Sequence, residues 1–300
     1  MCRLMRVHLV DGTFELYRAH FSPRPGRTAA VDGGPEVDVK ATVGLVASLL
    51  ALLHDPDEAV THLAVAFDNP IVSFRNDLFD GYKTDAGVPP ELRSQFDLAE
   101  RAVRALGVVV WSMDRWEADD ALATAATRFQ GQVDQVRILT PDKDLGQVVS
   151  GRRVVQVDRI RKKEIDEDGV RAARGVSPAS IPDLLGLMGD DADGIPGLPG
   201  FGAKSAATLL ARYGTIEAIP TSAAAWDVKV TGAPRLSSTL EANREAALLY
   251  KRLATLACDV PLAESLDDLA FRGVPRTAYE GLCVALALTD LRTRPARWAA

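Results

Sequence analysis

Short apolar runs alternate with longer segments of helical period through the first half of the chain. Val7 to Val10 is an apolar run that ends at Asp11-Gly12, which predicts a buried strand and then a turn. Phe14 to Phe21 follows and carries Arg18. Residues 22–38 are rich in Pro and Gly and predict a loop. Val43, Val46, Leu50 and Leu53 fall at helical spacing, so Thr42 to Leu53 is expected to be a helix. Leu63 to Phe67 predicts a second strand, ending at Asp68. Pro89-Pro90-Glu91 opens a helix, because proline is tolerated in the first turn. Its apolar face is Leu92, Phe96, Ala99, Val103 and Leu106. Val108 to Trp111, Val136 to Thr140 and Val154 to Val157 are three more strand candidates, with a helix from Ala118 to Phe129 after the first of them. Past about residue 175 the strand-like runs stop. Helices are expected over Ile181 to Met188, Ala206 to Tyr213, Leu240 to Leu256 and Thr277 to Leu288.

Helices alternating with short strands predict an α/β fold with a mostly parallel central sheet flanked by helices. We place that domain at residues 1–175 and a helical region at residues 176–300. In parallel sheets ligands collect at the carboxyl ends of the strands. Asp11, Asp68, Glu117 and Asp142 each lie just past a predicted strand end. Glu117 is joined by Asp119 and Asp120, and Asp142 by Asp144. Residues two apart can point the same way in extended chain, and residues three apart can share a helical face. Acidic residues also suit a helix start, and that reading fits Glu117 to Asp120 taken alone. It does not explain why acidic clusters recur. Like charges gathered at one place need a positive partner, for which a pair of divalent metal ions is the usual candidate.

The formal net charge is -6, which gives no direct sign of nucleic acid. It is compatible with DNA binding if metal ligands account for the excess and the cations cluster elsewhere. Cys2, Cys258 and Cys283 are far apart, which argues for a reducing compartment without disulfides and against zinc. His8, His20, His54 and His62 form no ligand pair. No signal peptide is visible, and no apolar run approaches the roughly 20 residues of a membrane span. A cytoplasmic protein is expected.

Two motifs remain. Arg152, Arg153, Arg159, Arg161, Lys162 and Lys163 surround the fifth strand. They fit either a solvated edge strand or a phosphate-facing surface. The second is Gly189-Asp190-Asp191-Ala192-Asp193-Gly194, followed by a turn rich in Gly and Pro that ends Gly200-Phe201-Gly202-Ala203-Lys204-Ser205. It is not a dinucleotide fingerprint, because no strand precedes it. Nor is it a Walker A loop, because Ala203 interrupts the needed Gly-Lys-Ser. Helix, glycine-rich hairpin and helix would instead present backbone N–H groups and Lys204 to a DNA phosphate. A plain helix connection is the simpler alternative.

The order of these stretches resembles the 5'-nucleases of the flap endonuclease and 5'-3' exonuclease type, including the N-terminal nuclease domain of bacterial DNA polymerase I. The matching residues are Leu9-Val10-Asp11-Gly12 with Tyr17-Arg18-Ala19, Ala66-Phe67-Asp68, Tyr82-Lys83, Glu117 to Asp120, Thr140 to Leu145, and Gly189-Asp190 through Lys204. They cover nearly the whole chain. With no polymerase region following, the stand-alone form is expected. The resemblance implies a PIN-like core, a helix-hairpin-helix, and a phosphodiesterase using two Mg2+ ions, for which Mn2+ can substitute. Asp11, Asp68, Glu117 and Asp119 would hold the first ion. Asp120, Asp142, Asp144, Asp190 and Asp193 would hold or orient the second, partly through water. Arg18 and Lys83 would neutralise the phosphate in the transition state. Tyr82 would stack on a base. The hairpin, with Gly200, Gly202, Lys204 and Ser205, would grip duplex DNA and could bind K+ through backbone carbonyls. Expected partners are DNA with a 5' flap, nick or free 5' end, and a DNA polymerase or other repair proteins. A monomer associated with the nucleoid is expected, with no membrane partner.

This chain departs from the family pattern at three places. The arginine usual three residues after the lysine is Ala86, beside Asp85. Asp191 and Ala192 stand where serines are usual, and Pro141 replaces a glycine. Weaker phosphate capture follows, partly restored by Arg75 or Arg93. Three rival readings are a DNA structure-binding protein that does not cleave, a PIN-like RNA nuclease, and a phosphohydrolase of small phosphate esters.

Overall fold

The computed structural model describes residues 4–300, so Cys2 lies outside the described residues. In chain order the elements begin with β1 (Arg6–Asp11), α1 (Gly12–His20), β2 (Thr28–Ala30), β3 (Glu36–Asp38), α2 (Lys40–His54) and β4 (His62–Asp68). Next come α3 (Pro90–Arg93), α4 (Phe96–Ala105), β5 (Val109–Met113), α5 (Ala118–Phe129), β6 (Gln135–Leu139), β7 (Val154–Asp158) and β8 (Lys163–Ile165). The remainder is helical: α6 (Glu167–Arg174), α7 (Ile181–Met188), α8 (Ala203–Tyr213), α9 (Ala233–Ala242), α10 (Arg244–Ala254) and α11 (Arg276–Ala285).

The chain divides into two compact units that do not follow a cut at residue 175. The first is Met1–Val72, Asp85–Thr140 and Cys258–Ala300; the second is Ser73–Thr84 and Pro141–Ala257. The expected boundary separates sheet from helices in sequence. It misses that residues 141–175 belong with the helices and that the last 43 residues return to the first unit.

The first unit is built on four parallel strands in the order β5-β4-β1-β6. Asp11 pairs in register with Ala66, and Asp68 with Met113, so both aspartates finish strands at the same edge. Leu9, Val65, Phe67 and Ile138 are essentially inaccessible, as a parallel sheet covered on both faces requires. The residue after Asp11 has to be small. A Cβ on Gly12 would lie 2.6 Å from the Phe67 ring. Residues 22–38 are not a plain loop: β2 and β3 form a short antiparallel hairpin. The helix expected after Pro89 is broken at Ser94-Gln95 into α3 and α4, because the Gln95 amide turns inward to Thr42.

In the second unit, α7 is buried almost all round and packs on α8 and α10. At its crossing with α10, a Cβ on Gly186 would lie 2.9 Å from Ala247 O. Asp183 of α7, 1% exposed, takes an ion pair from Lys251 of α10 at 2.8 Å. The long helix expected at Leu240 to Leu256 is two helices broken at Asn243. β7 is buried at every position and pairs antiparallel with β8. The basic run therefore does not border a solvated edge at β7: Arg152 and Arg153 sit on the turn before it, Arg159, Arg161 and Lys162 on the turn after it, and Lys163 on β8. Asp158 holds that turn by accepting from Ile160 N and Arg161 N, each at 2.9 Å.

Candidate active site

The first unit contributes five of the expected acidic side chains, Asp11, Asp68, Glu117, Asp119 and Asp120. Asp11 ends β1 and caps α1: its Oδ1 accepts from Phe14 N at 2.8 Å, and its Oδ2 from Thr140 Oγ1 at 3.0 Å. Asp68 ends β4, and its Oδ1 accepts from Ala118 N at 2.8 Å. Its own N–H is held by Thr13 Oγ1. The carboxylates at the two strand ends are thus fixed by backbone and hydroxyl donors. Such donors orient them without neutralising their charge.

Glu117 and Asp120 form a reciprocal capping box at the start of α5. Asp120 is fully buried, and its Oδ2 accepts from Glu117 N at 3.0 Å. Its expected role as a ligand of the second ion is joined by this one in the cap, which occupies one of its two carboxylate oxygens. Glu117 is 7% exposed, and Asp119 is more open. Arg18, on α1, donates from Nη2 to Glu15 and to Ser48 Oγ, the latter at 3.0 Å. Glu15 is buried and also accepts from Ser48 at 2.8 Å. The guanidinium is therefore aimed by a buried carboxylate. Tyr17 is half-buried on the same helix. Burial first, then the charges of Asp68 and Asp85, push its hydroxyl pKa up.

The second unit gathers four more acids. Asp142 is exposed, and its Oδ1 accepts from Asp144 N at 2.8 Å. Asp190 and Ile195 exchange backbone hydrogen bonds at 2.8 Å, closing the acidic turn into a small hairpin. Asp144 is 8% exposed. Burial pushes its pKa up to about 8, reinforced by Asp142, Asp193 and Asp190 and opposed by Arg174, whose Nη2 lies 3.9 Å away. These four carboxylates form an acidic cluster.

Lys83 is bound to that cluster twice. Its Nζ lies 2.9 Å from Asp193 Oδ1, and its N–H donates to Asp193 O. Tyr82 corrects an expectation. It is 3% exposed, packed into the second unit's core with its hydroxyl 3.5 Å from Asp193 Oδ2, and so is not placed to stack on a base. Arg75 corrects another. Rather than facing a phosphate it is 1% exposed, donating to Leu253 O and Thr255 O beyond the end of α10. Arg93 remains exposed and pairs with Asp85, next to Ala86. Asp68, Asp85 and Arg93 line one small cavity of about 70 Å³.

In the glycine-rich turn, Gly200 has φ +87° and Gly202 caps α8. Ser205 is committed to that cap, its Oγ accepting from Gly202 N at 3.1 Å. Lys204 is exposed at the first turn of α8.

Among the described residues no three His, Cys, Asp or Glu side chains form a ready metal cage. The expected ligands are all carboxylates, a donor set that hard divalent cations take together with several waters.

The sequence reading assigns no role to Thr13, Glu15, Thr140 or Arg174, although Thr140 opens one of the matching stretches. The two threonines flank strand ends in the Asp-Gly and Thr-Pro turns, which is a signal. Arg174 lies thirty residues from Asp144 and carries none.

Comparison with known proteins places the chain in a family. A family model for the 5'-3' exonuclease N-terminal, resolvase-like domain matches residues 6–175. One for the 5'-3' exonuclease C-terminal SAM fold matches residues 176–277. DNA polymerase I of Bacillus caldotenax is 35% identical over 275 residues, 90% of this chain and 30% of that protein. DNA polymerase I of Pseudomonas aeruginosa is 36% identical over 89% of this chain and 29% of its own length. The chain thus spans under a third of these relatives. Among solved structures, the bacteriophage T5 flap endonuclease, in a pseudo-enzyme-product complex with DNA and metal ions, superposes with TM-score 0.65 at 18% identity. It covers 94% of this chain and 99% of that one. The catalytic core of Rad2 in complex with DNA substrate superposes with TM-score 0.57 at 13% identity, over 95% and 89%.

Proposed function

Because this chain belongs to the 5'-3' exonuclease family, we propose that it is a metal-dependent 5'-nuclease, both 5'-3' exonuclease and flap endonuclease. It would hydrolyse DNA phosphodiester bonds near 5' ends or flap junctions, in replication and repair. The observation that carries the reading is the gathering of Asp142, Asp144, Asp190 and Asp193, where burial and the neighbouring carboxylates push the Asp144 pKa up to about 8. In support, the T5 relative is described with DNA and metal ions, and the Rad2 core with DNA substrate.

Asp11, Asp68, Glu117 and Asp119 would hold one Mg2+, and Asp142, Asp144, Asp190 and Asp193 another, with Mn2+ able to substitute. When bound, such ions activate water for in-line attack and stabilise the leaving 3'-oxygen. Thr140 and Phe14 N keep Asp11 pointing outward from β1. Asp120 positions Glu117 through the cap. Glu15 aims Arg18, and Asp193 holds Lys83, so each cation is kept in place to meet phosphate charge. At Gly200 to Ser205 the N-terminus of α8 and Lys204 would hold a duplex phosphate, with K+ on the hairpin carbonyls. Arg93 would serve where Ala86 leaves a gap. The protein would act as a monomer in the cytoplasm, at the nucleoid, alongside a DNA polymerase or other repair proteins.

The test is cleavage of a flap-labelled 5'-flap DNA with Mg2+ and with EDTA, beside Asp142→Ala. Asp142 is exposed, so that variant keeps the fold. Metal-dependent release of flap fragments, absent from the variant, is expected. Tight binding without cleavage under Mg2+ or Mn2+ would replace the reading with a structure-binding protein. Preference for an RNA flap would replace it with an RNA nuclease.

A further inference from the structure

Arg174 is the last residue of α6, where a basic side chain suits the negative end of the helix dipole. That account covers Arg171, one turn earlier, which is exposed and pairs with Glu167 at 2.7 Å. It does not cover Arg174. The Arg174 side chain is 16% exposed and turns inward, with Nη2 3.9 Å from Asp144 Oδ1. That distance is within reach of an ion pair and too long for a hydrogen bond. Nη2 is buried and has no hydrogen-bond partner. Leaving a buried N–H without an acceptor is costly. The guanidinium is held there by the charge of the four gathered carboxylates rather than by a bond.

The packing beneath keeps the two groups together. Val170 of α6 is buried in the second unit's core. Gly146, two residues past Asp144, comes so close that a Cβ on it would lie 2.9 Å from Ile181 Cδ1 and 3.7 Å from Val170 Cγ2. The turn that carries Asp144 and the helix that carries Arg174 thus rest on the same apolar side chains. The cluster's other cation, Lys83 on Asp193 at 2.9 Å, is more open. A cation enclosed beside a carboxylate opposes any second cation that the carboxylate would take. An opposite charge within about 4–6 Å loosens a carboxylate's hold on a proton about tenfold or more. A divalent ion carries twice the charge of the proton it replaces, so its binding is loosened further.

We propose that Arg174 is a resident counter-charge at the second ion's site, lowering the affinity of Asp144 and its neighbours for a divalent cation. The second ion is then held more weakly than the four carboxylates alone would hold it. The proposal rests on the assignment of Asp144 to that ion. Arg174 acts through Asp144 and needs no contact with DNA.

The experiment is titration of the full chain, freed of EDTA, with Mn2+. The electron spin resonance signal of the free ion counts the ions bound. The variants are R174Q, R174K and D144N, and thermal melts confirm that each folds. Wild type is expected to bind two ions, one more weakly than the other, and D144N to lose the weaker. R174Q should hold that ion at least about tenfold more tightly and leave the other unchanged. R174K keeps the charge and should match wild type. A purely structural role would lower the melting temperature of R174Q and leave its ion affinity alone. If R174Q and wild type hold the ion equally, or R174Q holds it more weakly, the assignment of Asp144 stands and the role of Arg174 is refuted. R174K tightening as much as R174Q also refutes it, because shape rather than charge would then be responsible. If neither wild type nor R174Q holds an ion that D144N lacks, the assignment of Asp144 fails and the proposal fails with it.

Discussion

Asp144→Asn should make the metal-free protein more stable, although it removes a native ionisable group. Asp144 is 8% exposed and surrounded by Asp142, Asp190 and Asp193, and its pKa is raised from 3.8 to about 8. The direction of the pH effect follows from that shift. The unfolded carboxyl loses its proton near its ordinary value, while the folded one keeps it to about pH 8, so stability falls as pH rises through that window. Taken whole, the shift is worth about 6 kcal/mol at alkaline pH, at 1.36 kcal/mol per unit. Neighbouring carboxyls share the strain and relax when one of them is removed, so about 2 kcal/mol is the reasonable gain. The pull of Arg174 is already contained in the raised pKa. For a chain of this size about 2 kcal/mol is several degrees in Tm. Thermal melts in EDTA near pH 6 and pH 8 measure it. The variant should melt higher at both, and by more at pH 8. It should also gain less than wild type from added Mg2+, because ligand-linked stabilisation requires the ligand set. A variant that melts lower than wild type in EDTA at pH 8 would refute the reasoning and make Asp144 a structural acceptor.

Three further outcomes follow. Gly186→Val should destabilise the second unit by about 3 kcal/mol or more, since its side chain would start 2.9 Å from Ala247 O and Lys251 N; urea unfolding measures this. Burial alone would raise the pKa of Glu58, but hydrogen bonds from His8 and Arg137 outweigh it and hold the group at about 2. Its stabilisation, about 3 kcal/mol, is complete above pH 4.5 and disappears as pH falls toward 2. Glu58→Gln should therefore lower urea midpoints near neutrality and show a shallower loss in acid. Ala86→Arg should lower KM on flap DNA with little change in kcat, and Arg93→Ala should raise it; unchanged KM values would separate this segment from phosphate capture.

The acidic positions were legible because they follow a rule of topology. Asp11 and Asp68 end hydrophobic strands, and in a parallel sheet strand ends share an edge. Glu117 and Asp120 are legible twice over, as acids at a strand-to-helix turn and as a helix start. The structure shows both readings at once, since a capping box fixes the side chains. What periodicity cannot give is the direction of a long side chain. Arg75, in the polar segment before Tyr82-Lys83, and Arg93, off the apolar face of the helix that Pro89-Pro90 opens, were both candidates to meet a phosphate. One is buried across the second unit beyond the end of α10, and the other is exposed beside Asp85. The difference depends on residues 180 positions away, where Thr255 leaves its carbonyl for a donor.

The same limit governs aromatic residues. Tyr82 lies in a polar stretch, yet its ring fills the second unit's core and its hydroxyl turns to Asp193. Phe21 follows α1 directly, and it is among the most exposed large side chains. Each is explained by its neighbours in space. Residues 73–84 are tied into the second unit by Arg75, and Tyr82 N–H donates to Phe79 O, turning the ring inward. The carbonyls on either side of Phe21 are held by Lys40, which closes the backbone around it and leaves the ring outside. A local pattern fixes which backbone bends where. The side chain that meets a ligand is decided by which distant donor claims the adjacent carbonyls. The surest sequence signals here were therefore short acids at strand ends, whose reach is too small for distant partners to redirect.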